Sequence, residues 1–209
     1  MPIDFAAVQR RLAAAHVDPG AADGKAGPHT YAALLAFVAS HSAPGPQTTA
    51  LAAGMVAHLP AYGIDATPAR LGNFLGQACH ESGGWQFLRE IWGPTTAQQH
   101  YEGRADLGNN QPGDGYHFMG RGIFQITGRA NYAHMGAAIG LDLIGNPQLA
   151  EVPDTAVWTA CEFWKMRGLS ALADQGSEDA ITVRINGGVN GRDERRALVA
   201  RAKSILGGL

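Results

Sequence analysis

The stretch Thr67-Pro68-Ala69-Arg70-Leu71-Gly72-Asn73-Phe74-Leu75-Gly76-Gln77-Ala78-Cys79-His80-Glu81-Ser82-Gly83-Gly84 reads as one amphipathic helix with both ends marked. Thr67 is a capping residue followed by a first-turn proline, and Gly83-Gly84 can stop the helix after Ser82. Leu71, Phe74, Leu75 and Ala78 fall on one stripe of 3.6-residue periodicity. At 100° per residue Glu81 lies about 20° from Phe74, at the border of that stripe. A carboxyl at an apolar border is partly desolvated, which favours its protonated form and suits a general acid. The plainer reading is a last-turn glutamate facing solvent.

The same signals recur on either side of this helix. Asp4 can cap a helix whose Phe5, Val8 and Leu12 share one face. A second helix fits residues 30–40, with Tyr31, Leu34, Leu35 and Val38 on one side. Residues 41–47 carry two prolines and a glycine and read as a linker, which divides the chain into 1–43 and 48–209. Helices are expected at 48–59, where Pro60 ends the run, and at about 129–139, 154–167, 178–186 and 192–206. Residues 116–127 are aromatic and β-branched, broken by Gly120 and Gly122, and predict a short β-hairpin. The expected class is mainly α, with an α+β second part that holds one small β-hairpin and a small helical module before it.

Composition narrows the function. The 209 residues include 16 Lys and Arg against 18 Asp and Glu, a formal net charge of −2. No basic excess is available for phosphates, which argues against nucleic acid as a partner. The 28 glycines are nearly twice the usual share, without a collagen period, and point to tight turns. No apolar run reaches the ~20 residues that span a bilayer, so membrane insertion is not expected. The start, Met1-Pro2-Ile3-Asp4-Phe5, carries neither a cationic nor a hydrophobic leader. Cys79 and Cys161 lie far apart in apolar surroundings and read as buried free thiols. His80-Glu81 lacks a second histidine at 84, which is Gly, so a zincin helix is excluded. No metal or cofactor is expected.

Carboxylates remain the candidate chemistry. Glu90 sits in Leu88-Arg89-Glu90-Ile91-Trp92 beyond the Gly83-Gly84 reversal. Two carboxyls on opposite lips of one cleft are what glycoside hydrolysis requires. Glu90 could equally pair with Arg89 or Arg104 at the surface. Glu102, in Tyr101-Glu102-Gly103-Arg104, is a third candidate, and spacing alone does not choose.

Three stretches in order, His80-Glu81-Ser82-Gly83-Gly84, Gly120-Arg121-Gly122-Ile123-Phe124-Gln125-Ile126-Thr127 and Ile185-Asn186-Gly187-Gly188, resemble glycoside hydrolase family 19. That chitinase group also includes phage endolysins. Asn131-Tyr132, Asn146-Pro147 and Phe163-Trp164 fall between them in the expected order. Tyr101-Glu102-Gly103-Arg104, Leu107-Gly108-Asn109 and Gly113-Asp114-Gly115 look like the endolysin branch. The resemblance covers about residues 48–206 and implies a lysozyme-like fold and inverting hydrolysis. By position, Glu81 would be the acid and Glu90, nine residues later as in compact members, the base. Thr127 would hold the attacking water. Gln125, Asn131 and Asn186 match sugar-binding amides, and Glu102 and Arg195 join them as substrate-binding candidates. Phe118-Met119 and Asn190 depart from the chitinase pattern. Residues 1–43 look like a shortened peptidoglycan-binding module.

The expectation carried forward is a monomeric, muramidase-type phage endolysin with bacterial peptidoglycan as its partner. It would wait in the host cytoplasm for release by a separate holin-type protein. A chitinase and a non-catalytic wall-binding protein are the alternatives.

Overall fold

The computed structural model describes residues 1–207. Eleven α-helices carry its regular structure among these residues: α1 (Phe5–Ala14), α2 (Pro28–Val38), α3 (Pro46–His58), α4 (Pro68–Glu81), α5 (Thr96–Gln99), α6 (Asp114–His117), α7 (Arg129–Ile139), α8 (Pro153–Met166), α9 (Leu169–Asp174), α10 (Glu178–Asn186) and α11 (Arg192–Leu206). Short 3-10 turns lie at Leu59–Tyr62, Ala105–Leu107 and Pro147–Glu151.

The caps form where the side chains allow them. Asp4 Oδ1 accepts the Ala7 amide at 3.0 Å, and Thr67 Oγ1 accepts that of Arg70 at 3.2 Å. The stripe of α4 is fully buried at Leu71, Phe74, Leu75 and Ala78, and each large side chain contributes about 1.5–3 kcal/mol of transfer free energy. Phe74 meets Phe124 and Trp164 edge-on at 6.1 and 5.4 Å. Among the helices, α11 packs most extensively on α4. Gly76 brings the two backbones together, since a β-carbon there would stand 2.6 Å from the Val199 amide nitrogen.

Residues 1–43 share this interior. Val8, Leu12, Tyr31, Leu34 and Leu35 belong to the same buried cluster as Leu51, Phe74 and Trp164. The Trp85 indole donates to the Leu35 carbonyl at 2.8 Å, and Arg11 reaches the Ile205 carbonyl at 3.0 Å. A smaller cluster, with Phe118, Ile126, Tyr132, Met135, Ile139 and Leu143, surrounds α7.

The β-hairpin and the α+β class predicted from residues 116–127 are corrected by the structure. Among the described residues no β-strand forms. Isolated antiparallel bridges pair Arg89 with Arg121 and Arg121 with Ile126. The turn that follows Arg121 needs left-handed backbone at Gly122, φ 79°, and at Gln125, φ 50°. Such residues end a ladder after one pair. Phe118 turns into the core against Tyr132, at 5.3 Å between ring centres, rather than along a strand.

Candidate functional site

Glu81 is the last residue of α4, and the chain then reverses through Gly83, Gly84 and Trp85, with φ of 58°, 71° and 70°. Two of these positions are glycine, which takes that conformation without steric cost. The buried Trp85 is held in it by its indole bond to Leu35. The reversal delivers Leu88 to Glu90 against residues 120–122. Glu90 N–H donates to the Gly120 carbonyl at 3.0 Å, and Gly122 N–H donates to that of Leu88 at 2.9 Å.

The Glu90 carboxylate is fixed at both oxygens. Oε1 accepts the Gly120 amide at 2.5 Å, and Oε2 accepts Gln98 Nε2 at 3.0 Å. Gln98 is itself locked, its Oε1 accepting the Gly93 and Thr95 amides. Tyr101 also faces Glu90: burial first, then the nearby carboxylate, raises its phenol above the ordinary value, so it stays a protonated donor. A β-carbon on Gly120 would lie 2.7 Å from Gln125 Oε1, 3.3 Å from Thr127 Oγ1 and 3.4 Å from Glu90 Oε1. Carboxylate, hydroxyl and amide therefore converge on one small space over Gly120. Thr127 Oγ1 donates its single hydrogen to the Gln125 carbonyl at 3.0 Å, so toward that space it can only accept.

Glu81 sits beside a cation instead of the apolar border expected from its helical position. Arg195 of α11, buried to 2% exposure, donates from Nη2 to Glu81 Oε1 at 2.5 Å. The same guanidinium donates from Nη1 to Gln77 Oε1 at 2.8 Å and from Nε to the Asn190 carbonyl at 3.2 Å. Gln77 Nε2 in turn donates to Thr182 Oγ1 at 2.9 Å. Among the described residues no side chain or backbone donor is bonded to Glu81 Oε2, and the side chain is 21% exposed.

Gln125, Thr127 and Asn131 line one cleft of about 270 Å³ with Phe124, Phe163 and Ile185. Phe124 stacks on Phe163 at 5.0 Å. Asn131 Nδ2 donates to the Thr127 carbonyl at 2.7 Å. Asn186 ends α10 next to Ile185 and contacts the Asn190 carbonyl at 3.5 Å. Glu102 stands elsewhere. Its two oxygens accept the Gly113 and Gly115 amides at 2.7 and 2.8 Å, which makes it the brace of the 113–115 turn. Gln77, Gln98, Tyr101 and Thr182 went unread in the sequence. For Gln77 the signal was present, because it lies one helical turn before Glu81 on the same face.

The family 19 glycoside hydrolase model, described as class I chitinase, matches residues 26–171. A family 19 domain-containing protein of Haemophilus influenzae is 36% identical over 149 residues, 58% of this chain and 72% of that protein. The acidic 27 kDa endochitinase of Solanum lycopersicum is 33% identical over 150 residues, 65% of this chain but only 47% of the plant enzyme. A bacterial family 19 chitinase of known structure superposes with a TM-score of 0.59 at 27% identity, covering 74% of this chain and 85% of the other. Chitinase C of Streptomyces griseus shares the fold, with a TM-score of 0.60 at 23% identity over 74% and 69% of the two chains. These matches overturn the endolysin branch, the peptidoglycan-binding module and peptidoglycan as partner: the family model is that of a chitinase, as are the tomato protein and the bacterial structure at 27% identity. The match also begins at residue 26, inside the stretch expected to be a separate module. The chain belongs to glycoside hydrolase family 19.

Proposed function

We propose that the protein is a chitinase that hydrolyses β-1,4 bonds between N-acetylglucosamine units with inversion at the anomeric carbon. Glu81 is the acid and Glu90 the base. The observation that supports this most is the convergence of Glu90, Thr127 and Gln125 over Gly120.

The chemistry follows from the hydrogen bonds. A water seated over Gly120 meets the Glu90 carboxylate and the Thr127 oxygen as acceptors, with Gln125 Oε1 a third acceptor on the same space. Each carboxylate oxygen has two lone-pair sites, so bonds from Gly120 and Gln98 still leave room for the water. Two acceptors take its two hydrogens and turn an oxygen lone pair toward the anomeric carbon. As the new C–O bond forms, the glycosidic C–O bond breaks and Glu90 receives the water proton. Glu81 gives its proton to the leaving oxygen. Arg195 occupies Oε1 of Glu81 and leaves Oε2 to carry that proton. Gln125, Asn131 and Asn186 offer amides that donate to and accept from hydroxyl and N-acetyl groups.

Release of reducing ends from soluble chitin oligosaccharides tests the reading. Glu81→Gln keeps the shape but has no proton to give, and should lower kcat by roughly 10²–10⁴-fold with the circular dichroism spectrum unchanged. A folded Glu81→Gln protein within tenfold of wild type would remove Glu81 from the mechanism.

A further inference from the structure

We propose that Glu151 is a positioning residue for Glu90, acting through a pair of arginines on the opposite face of the segment that carries the base. This rests on Glu90 being the base.

Successive side chains of an extended segment point to opposite faces. Arg89 therefore leaves the 88–90 segment on the side away from Glu90. Its partner across the antiparallel bridge is Arg121. The flanking bonds, Glu90 N–H to Gly120 and Gly122 N–H to Leu88, make this a non-hydrogen-bonded pair, the kind that brings opposed side chains closest. Two like charges directly opposite each other push such a bridge apart.

Glu151, at the end of the Pro147–Glu151 turn, stands between them. Its Oε2 is 3.6 Å from Arg89 Nε and its Oε1 is 3.7 Å from Arg121 Nε. It is the one carboxylate within 4 Å of either guanidinium among the described residues. Arg121 is buried to 4% exposure. Its Nη1 donates to the His117 carbonyl and the Tyr132 hydroxyl, while its Nε has no hydrogen-bond partner. At 3.7 Å the Glu151 contact is charge compensation rather than a hydrogen bond. Glu151 borders the open cleft of about 770 Å³ that Arg89 and Glu90 also line, so a near-isosteric change there leaves no packing defect and tests its charge.

The bridge that Glu151 neutralises sets where Glu90 points. Gly120, whose amide holds Glu90 Oε1, immediately precedes Arg121, and Glu90 immediately follows Arg89. A shift of the two arginines is a shift of the base.

The test compares Glu151→Gln with the double variant Arg89→Gln/Glu151→Gln, in which Arg121 no longer faces a like charge across the bridge. Kinetics on a soluble chitin hexamer are read beside NMR hydrogen exchange of the Glu90 and Gly122 amides. Glu151→Gln should lose roughly 10–100-fold in kcat, with KM within about twofold and the two amides exchanging about tenfold faster. The double variant should recover the amide protection and most of kcat. That recovery separates positioning from general loss of stability. Wild-type kcat and exchange in Glu151→Gln, or a loss the double variant does not recover, would overturn the proposal. If Glu151→Gln fails to fold, a folded and active double variant supports it and an unfolded one overturns it. A wild-type protein inert on the hexamer would count against the chitinase reading; the exchange rates alone then decide whether Glu151 holds the bridge.

Discussion

At the scale of the residue, Gly120 is the most exacting position in the cleft. Its hydrogen side chain leaves open the space on which Gln125, Thr127 and Glu90 converge. Gly120→Ala would place a methyl 2.7 Å from Gln125 Oε1, the tip of a flexible side chain, and 3.3–3.4 Å from the Thr127 and Glu90 oxygens, against the space proposed for the attacking water. Since Gly120 lies outside any helix, the fold should persist while kcat on chitin oligosaccharides falls by roughly 10²-fold; wild-type kcat would show that the water sits elsewhere. Glu81 and Glu90 were legible as residue types near a cleft, but their partners were not. Periodicity placed Glu81 at the rim of an apolar stripe, and only the packing of α11 reveals Arg195 against it. Glu102 could not be told from Glu90 in the sequence, because the backbone amides each carboxylate meets are set by contacts distant along the chain.

At the scale of the element, the long helices were readable because caps, prolines and apolar stripes agree. The short α5, α6 and α9 were not, having too few residues for a period to show. The 116–127 segment misled because aromatic and β-branched residues favour strands, while Gly122 and Gln125 impose a turn whose backbone angles the sequence does not display. The α4–α11 contact makes a sharp prediction. Gly76→Ala gains up to about 1 kcal/mol in helix propensity, but its methyl meets the Val199 nitrogen at 2.6 Å and Cα at 2.7 Å. Backbone cannot yield as a side-chain tip can. A net loss of about 1–3 kcal/mol is expected in urea unfolding, and a neutral or stabilised variant would contradict this packing. A second prediction concerns α7, whose first residue, Arg129, is tied to Asp114 at 2.5 Å. That hydrogen bond, more than the charge alone, holds the Asp114 carboxyl below its ordinary value. The folded state therefore binds this proton less readily than the unfolded chain. The stabilisation is complete above about pH 4 and is lost as pH falls through the lowered folded value. Asp114→Asn should lower stability at pH 7 by about 2–3 kcal/mol and flatten its fall below pH 4. An unchanged acid limb would mean another carboxylate governs it.

At the scale of the whole molecule, the sequence divided the chain at residues 41–47, where two prolines and a glycine interrupt the helical pattern. The structure carries one cluster of buried side chains across that point, from Val8 and Leu35 to Phe74 and Trp164. Composition could not reveal this, because the contacts are distant in sequence and the Trp85–Leu35 bond joins residues fifty positions apart. The same long-range packing assembles the site: α4 brings Glu81, α11 brings Arg195, and the bridged segments bring Glu90 against Gly120. In the proposed mechanism Glu90 and Thr127 aim a water at the anomeric carbon while Glu81 protonates the leaving oxygen from the other side. An inverting pair leaves room for that water between its carboxyls, whereas a retaining pair attacks the sugar directly. Proton NMR of the first product released from a β-linked chitin oligosaccharide reads the difference. Inversion gives the α-anomer first, with the β-anomer growing only by mutarotation. Initial accumulation of the β-anomer would contradict it.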